Sequence, residues 1–215
     1  MSKILVSDFP KPYDLSRGLI DITAPMHKIE YIGPTLMWDK AERASKEKTG
    51  NVFFTLSGVG LGTETMKNVT KVAQGTKFNF TVLNNTDVKL DPHPRVKEVK
   101  FPTYEEMYDI FSKTDVYMGC PGWALTTEAL AFGIPIIATY PKDHLERKRT
   151  VENIEKYGLG INAKINPSHM DMIKYLRKIF TTNSYFENAM KYHYLYKFYH
   201  GAQRGADIIN EVLEE

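Results

Sequence analysis

The run from Asp115 to Gly160 constrains this chain most: D-V-Y-M-G-C-P-G-W-A-L-T-T-E-A-L-A-F-G-I-P-I-I-A-T-Y-P-K-D-H-L-E-R-K-R-T-V-E-N-I-E-K-Y-G-L-G. It reads as a short buried strand, a glycine turn, a helix, a second strand, a loop and a second helix. That alternation predicts an α/β protein with a parallel sheet. The turn runs from Gly119 to Gly122, and the helix after it carries Thr126, Thr127 and Glu128. A strand that ends in a tight glycine turn and opens into a helix gathers several backbone N–H groups at one point. That point also carries the positive end of the helix dipole, so it suits a phosphate.

The totals exclude several classes. A chain of 215 residues is long enough for a full core, as one large domain or one and a half. Hydrophobic residues make up 42% and charged residues 25%, which is ordinary for a globular protein. A net charge of +2 gives no argument for nucleic acid. The one cysteine, Cys120, excludes an internal disulfide and fits a reducing compartment. No run of eighteen apolar residues and no signal-peptide pattern stand out, so the expected location is cytoplasmic.

Three segments follow from the pattern: a lead-in over 1–38, a charged linker over 39–50, and a Rossmann-like domain over 51–215. In the lead-in, Lys3 to Ser7 reads as a strand, while Pro10, Pro12 and Gly18 break regularity. Asn51 to Leu56 reads as a buried strand and Ser57 to Gly62 as a glycine-rich turn. A helix follows from Thr63, with Met66, Val69, Val72 and Ala73 on one face and Gly75 as its stop. A dinucleotide fingerprint fits this turn poorly. Its glycines are spaced G-x-G-x-G, and the next strand, Phe78 to Leu83, ends in Asn84-Asn85 rather than an acid. His93 lacks nearby partners for a metal. Val96 to Phe101 reads as a strand, and Thr103 with Glu106 as a capping box. Past the central run, Pro167-Ser168 starts a helix, Tyr185 to Phe198 carries six aromatics, and Gln203 to Leu213 is amphipathic.

The central run resembles the donor-nucleotide signature of UDP-sugar glycosyltransferases with two Rossmann-like halves, the glycosyltransferase-B fold. Plant and animal UDP-glycosyltransferases carry H-C-G-W-N-S-x-x-E-A-L-x-x-G-V-P and then a D-Q pair. The lipid-linked N-acetylglucosaminyltransferase of peptidoglycan synthesis carries S-G-A-L-T-x-x-E at the same spacing. This chain has Gly122 and Trp123 of the first pattern, Ala124-Leu125-Thr126 closer to the second, and Glu128 at the shared spacing. Glu128 to Pro135, E-A-L-A-F-G-I-P, follows almost residue for residue. Tyr31-Ile32-Gly33-Pro34 is similar to the Y-V-G-P that closes the N-terminal half in that family. In two departures, Cys120 replaces a histidine that faces the phosphates, and Ala124-Leu125 replaces the Asn-Ser pair. These changes leave more of the phosphate to backbone N–H groups.

The resemblance covers residues 29–215 and implies a single half of a glycosyltransferase-B architecture, a Rossmann-like parallel sheet flanked by helices. It implies that Glu128 accepts hydrogen bonds from the ribose diol, which suits two carboxylate oxygens. It puts Cys120, Gly122, Trp123, Thr126 and Thr127 at the diphosphate, and Ser57 and Gly58 near the phosphates or the acceptor. It puts Phe101 and Pro102 at the base, and Asp143 and His144 at the sugar hydroxyls. Plainer readings stand beside these: threonines bonded to their own helix, Phe101 in the core, Cys120 as packing. Glu146 to Arg149 reads as a solvated first turn, from which one basic residue could reach the diphosphate. The implied activity is inverting, metal-independent glycosyl transfer, with a UDP-sugar as substrate, no cofactor and no metal. No residue stands out as a catalytic base. The acceptor half is expected from a missing N-terminal half or a separate subunit, with membrane contact only through that partner or a lipid acceptor. Two alternatives stay open: a non-catalytic sugar-nucleotide-binding or regulatory module, and a UDP-sugar epimerase. An epimerase also needs both halves and carries different acidic residues.

Overall fold

The computed structural model describes residues 3–16, 26–38, 40–43, 47–56 and 63–214. Its centre is a six-stranded sheet in which every neighbouring pair is parallel. The strands are β3 (Asn51–Leu56), β4 (Asn79–Leu83), β5 (Val96–Val99), β6 (Val116–Cys120), β7 (Ile136–Ala138) and β8 (Gly160–Asn162), ordered β5-β4-β3-β6-β7-β8. Two short strands, β1 (Ile4–Val6) and β2 (Ile29–Tyr31), pair in parallel as a separate sheet. Seven α-helices complete the described chain: α1 (Thr63–Gln74), α2 (Tyr104–Lys113), α3 (Trp123–Ala131), α4 (Leu145–Lys156), α5 (His169–Thr181), α6 (Asn183–Tyr196) and α7 (Gly201–Glu214). This is the expected parallel α/β sheet with helices on both faces.

Alternation along each strand divides the core in two. Phe53, Tyr117 and Ile136 point to one face, where Met107 and Phe111 of α2, Leu130 of α3, Val151 and Ile154 of α4 and Ala189 of α6 cover them. Val52, Phe54, Met118 and Ile137 point to the other, against Met66, Val69 and Val72 of α1 and Met172, Leu176 and Ile179 of α5. The helices start where capping chemistry predicts. Thr103 and Glu106 form a reciprocal box at α2, and Ser168 and Asp171 form another at α5.

Gly119 shows why β6 must end as it does. Its φ is +151°, and a Cβ there would lie 1.8 Å from the Thr55 carbonyl oxygen of β3. Only glycine lets the two strands close at their carboxyl ends.

The sequence separates 39–50 as an exposed linker and 1–38 as a lead-in, but the structure ties both to the sheet. Phe9, Leu15, Trp38 and Ala41 belong to the core on the α3 and α6 side. Tyr192 Oη donates to the Tyr13 carbonyl at 3.0 Å, and Tyr196 Oη to the Trp38 carbonyl at 2.7 Å. So the tyrosine-rich helix holds the early chain in place. The linker is pinned by Asp115, just before β6, whose buried carboxylate accepts from Arg43, the Thr49 N–H and hydroxyl, and the Asn51 N–H. Strand β5 stops at Val99 rather than Phe101, because Phe101 turns to φ 45°. Among the described residues, no helix is long and apolar enough to cross a membrane.

Asp115→Ala strips four donors of a buried acceptor and leaves the Arg43 guanidinium without its carboxylate. Chemical denaturation should show a loss of about 3–5 kcal/mol. A loss under about 1 kcal/mol would mean that solvent replaces the cluster readily.

Candidate functional site

The sheet order creates the site. From β3 the chain moves outward to β4 and β5, then returns to the other side of β3 as β6 and continues to β7 and β8. The loops at the carboxyl ends of β3 and β6 therefore diverge, and such a switch point leaves a crevice. Strand β6 ends at Cys120 in this crevice, and α3 opens from it with Gly122 as N-cap.

No side chain caps α3. The N–H groups of its first turn, at Trp123, Ala124 and Leu125, therefore have no side-chain partner among the described residues. Ala124 is exposed, and Gly122 and Trp123 are half-buried. Gly122 has φ −78°, open to any residue, and no described atom lies within 4 Å of the position of a Cβ. Gly119 is glycine because the sheet demands it. Among the described residues nothing in the fold makes that demand at Gly122, so space is held open beside an uncapped helix terminus.

Glu128 is the second unusual group. It lies in α3, is 4% exposed, and receives no hydrogen bond from any described group. Neither carboxylate oxygen is sealed from solvent. Burial pushes its carboxyl up to about 7. Helical side chains tilt toward the N-terminus, so the carboxylate leans toward the turn at Gly122. A carboxylate held there without a partner costs the fold energy, and nothing among the described contacts returns it.

Phe101 is the third. It is 77% exposed, at a positive φ that is unusual for a bulky residue, and its N–H is held by the Asn85 side chain at 3.0 Å. The core placement of Phe101 is thus ruled out: the ring projects from the carboxyl end of β5, followed by Pro102. Three strand steps of about 4.8 Å put β5 about 14 Å from β6 across the sheet, with Phe101 beyond the end of one and α3 beyond the end of the other.

Other expected residues take plainer places. The Thr126 hydroxyl donates to the Gly122 carbonyl at 2.9 Å, and that of Thr127 to Trp123 and Ala124 at 3.1 and 3.0 Å. Both side chains are buried, and each commits its one hydroxyl proton to its own helix instead of the turn. His144 caps α4 through Nδ1, and Asp143 beside it is exposed, at the carboxyl end of β7. Cys120 is fully buried, with the Arg147 guanidinium 2.9 Å from its Sγ. Ser57 and Gly58 lie outside the described residues. Trp123 donates its indole N–H to the Ser7 carbonyl at 3.0 Å, which ties β1 to the start of α3. A cleft of about 600 Å³ lies there, lined by Val6, Ser7, Asp8, Ser16, Trp123 and Glu146 among others. No local sequence pattern could have revealed that contact, because 116 residues separate its partners. Among the described residues, no group of three His, Cys, Asp or Glu side chains could hold a metal ion.

No protein-family model matches the chain. An uncharacterized glycosyltransferase of Methanosarcina mazei is 24% identical over 187 residues, covering 85% of this chain and 50% of that protein. Another, from Methanosarcina acetivorans, is 22% identical with the same coverage. Among solved structures, the glycosyltransferase of kitacinnamycin matches with a TM-score of 0.71 at 15% identity, covering 92% of this chain and 52% of that one. The calicheamicin glycosyltransferase CalG4 matches at 0.72 and 15% identity, with 87% and 48% covered. Rice Os79 in complex with UDP and the spinosyn rhamnosyltransferase SpnG complexed with thymidine diphosphate share the fold at 0.57 and 0.58. The chain spans about half the length of the curated relatives it matches. Its architecture is that of one half of a glycosyltransferase-B protein.

Glu128 makes a pH-dependent stability prediction. Its folded-state pKa, about 7, lies above the usual 4.5, so the protonated form favours folding. Stability therefore falls as pH rises from about 4.5 to 7, by about 3 kcal/mol, and is flat above. Urea unfolding of wild type and Glu128→Gln should give curves that coincide near pH 4 and diverge by pH 8, with the variant the more stable. Equal stability at pH 8 would mean that the carboxylate is solvated or paired.

Proposed function

We propose that this chain binds a UDP-sugar and serves as the donor half of an inverting, metal-independent glycosyltransferase. The observation that carries the reading is Glu128, a buried carboxylate without a hydrogen-bond donor among the described residues, beside an uncapped helix terminus with an open approach at Gly122. The carboxylate accepts from the two ribose hydroxyls, and the free N–H groups of α3 receive the diphosphate. The exposed Phe101 ring offers a stacking surface for the base, with Pro102 beside it, at the carboxyl edge of the same sheet. The nucleotides named in two solved neighbours, UDP and thymidine diphosphate, support a pyrimidine.

In the reaction, an acceptor hydroxyl oxygen attacks the anomeric carbon as the bond from that carbon to the diphosphate oxygen breaks. The configuration inverts and the acceptor proton passes to a base. The α3 terminus faces the oxygen on which negative charge grows, and its dipole is already aligned, so no reorganisation is needed. In this reading Asp143 and His144, in the loop that follows β7, hold sugar hydroxyls. Among the described residues none is placed as the base. That group and the acceptor site belong to the polypeptide that the longer relatives carry beyond this region, whether in the same chain or in a partner.

Calorimetric titration with UDP tests the reading. Wild type should bind without added metal. Glu128→Ala should lose about 10-fold or more, the worth of hydrogen bonds to a charged group. Gly122→Ala should keep its melting temperature and lose binding, because a methyl group fits the fold and blocks the approach. Binding unchanged in both variants would remove the donor site from this crevice. Binding by wild type, with no transfer once the acceptor half is supplied, would favour a sugar-nucleotide-binding module.

A further inference from the structure

The geometry points to the outer edge of β1 as a docking edge for the second α/β half, one strand of which adds beside β1 in parallel. The identity of that partner rests on the donor-half reading: the curated relatives are about twice as long as the region this chain matches. The small sheet shows why an edge is open. Among the described residues β1 and β2 pair only with each other, whereas parallel sheets are ordinarily larger and covered on both faces. Helix α7 lies against this pair, with Arg204 2.6 Å from Glu30 and Lys3 within 3.8 Å of both Glu30 and Glu211. Two parallel strands and one helix are the start of an α/β layer, not a whole one.

The hydrogen bonds identify which edge is open. Along a parallel strand, successive residues turn their N–H and C=O to opposite sides. Val6 turns to β2, where its carbonyl accepts from the Ile32 N–H at 3.0 Å, and the Asp8 carbonyl accepts from the Gly33 N–H at 3.0 Å. Leu5 and Ser7 therefore turn theirs the other way. On that side the Trp123 indole N–H meets the Ser7 carbonyl at 3.0 Å. The Leu5 N–H and C=O and the Ser7 N–H have no hydrogen-bond partner among the described residues. The cleft of about 600 Å³ follows this edge, because the five consecutive residues from Ile4 to Asp8 all line it, whereas a strand seen face-on would contribute alternate residues. An added strand satisfies the open groups by main-chain hydrogen bonds. Strand β1 also runs toward Trp123, at the start of α3. A strand parallel to it ends at the same place. The loop at its carboxyl end, where a parallel sheet holds its ligands, then faces the donor crevice.

Proline separates the edge from the fold. Leu5→Pro removes one outward N–H and leaves the bonds from Ile4 and Val6 to β2 in place. Ile4, 39% exposed on the same strand, is replaced by the photocrosslinker p-benzoylphenylalanine in the full chain, expressed in its native host, and the linked peptide is sequenced. The expected adduct joins position 4 to a strand segment that aligns with the half of the curated relatives this chain does not match. Adding Leu5→Pro should cut its yield about 10-fold without changing the melting temperature. Amide hydrogen exchange on the isolated chain should find the Leu5 N–H open and the Val6 N–H protected, a test that needs no variant to fold. Four results would each overturn the proposal: no adduct, an adduct to a second copy of the chain or to an unrelated protein, a yield that Leu5→Pro leaves unchanged, or a protected Leu5 amide. UDP titration of the same protein separates the two readings. UDP binding with no adduct removes the docking edge alone, and the expected adduct with no UDP binding removes the donor site alone.

Discussion

Everything at the candidate site depends on β6 entering the sheet beside β3 instead of continuing outward from β5. That single crossover makes the sheet diverge on both sides of the β3–β6 pair and opens a crevice at their carboxyl ends. The pair is secured at both ends. Asp115 gathers four hydrogen bonds from Arg43, Thr49 and Asn51 where β6 begins. Gly119 lets the strands meet against the Thr55 carbonyl where it ends. With both ends fixed, the direction of α3 is set, and so is the point at which its free N–H groups emerge. Helix α4 follows from β7 and brings Arg147 to the same point.

Much of this was legible in the residues. The alternation of apolar strands with capped helices gives the parallel α/β class, and the Thr103–Glu106 and Ser168–Asp171 boxes appear in the structure as the spacing predicts. Glu128 stands out through a resemblance, but only the structure shows that it is buried and lacks a donor among the described residues. Gly119 and Gly122 look alike in sequence, whereas one is demanded by a neighbouring strand and the other by nothing described. That difference depends on atoms 64 residues away in the chain, which no local pattern reports. The threonines show the reverse case. Their types suited a phosphate, but inside a helix a hydroxyl finds the carbonyl one turn back before it finds a ligand.

The lead-in was the least legible part. Its prolines signal irregular chain, and irregular chain is usually exposed. Here Phe9 packs edge-on against Tyr192 of α6, Trp38 packs against Tyr104, Tyr108 and Phe111 of α2 and against Phe132, and the Tyr192 and Tyr196 hydroxyls donate to the Tyr13 and Trp38 carbonyls. The link from the Trp123 indole to Ser7 then makes β1 a wall of the crevice, so the early chain helps to shape the candidate site.

The central claim is that a nucleoside diphosphate lies across the carboxyl ends of β5 to β6, with its phosphates on α3. An amide NMR titration with UDP reads this directly, residue by residue. The account predicts that the largest shifts fall on Gly122 to Thr126, with a second group at Phe101 and Thr103. Shifts confined to the separate cavity of about 610 Å³ lined by Thr63, Lys67, Asp87 and Lys89, or spread without a centre, would contradict it.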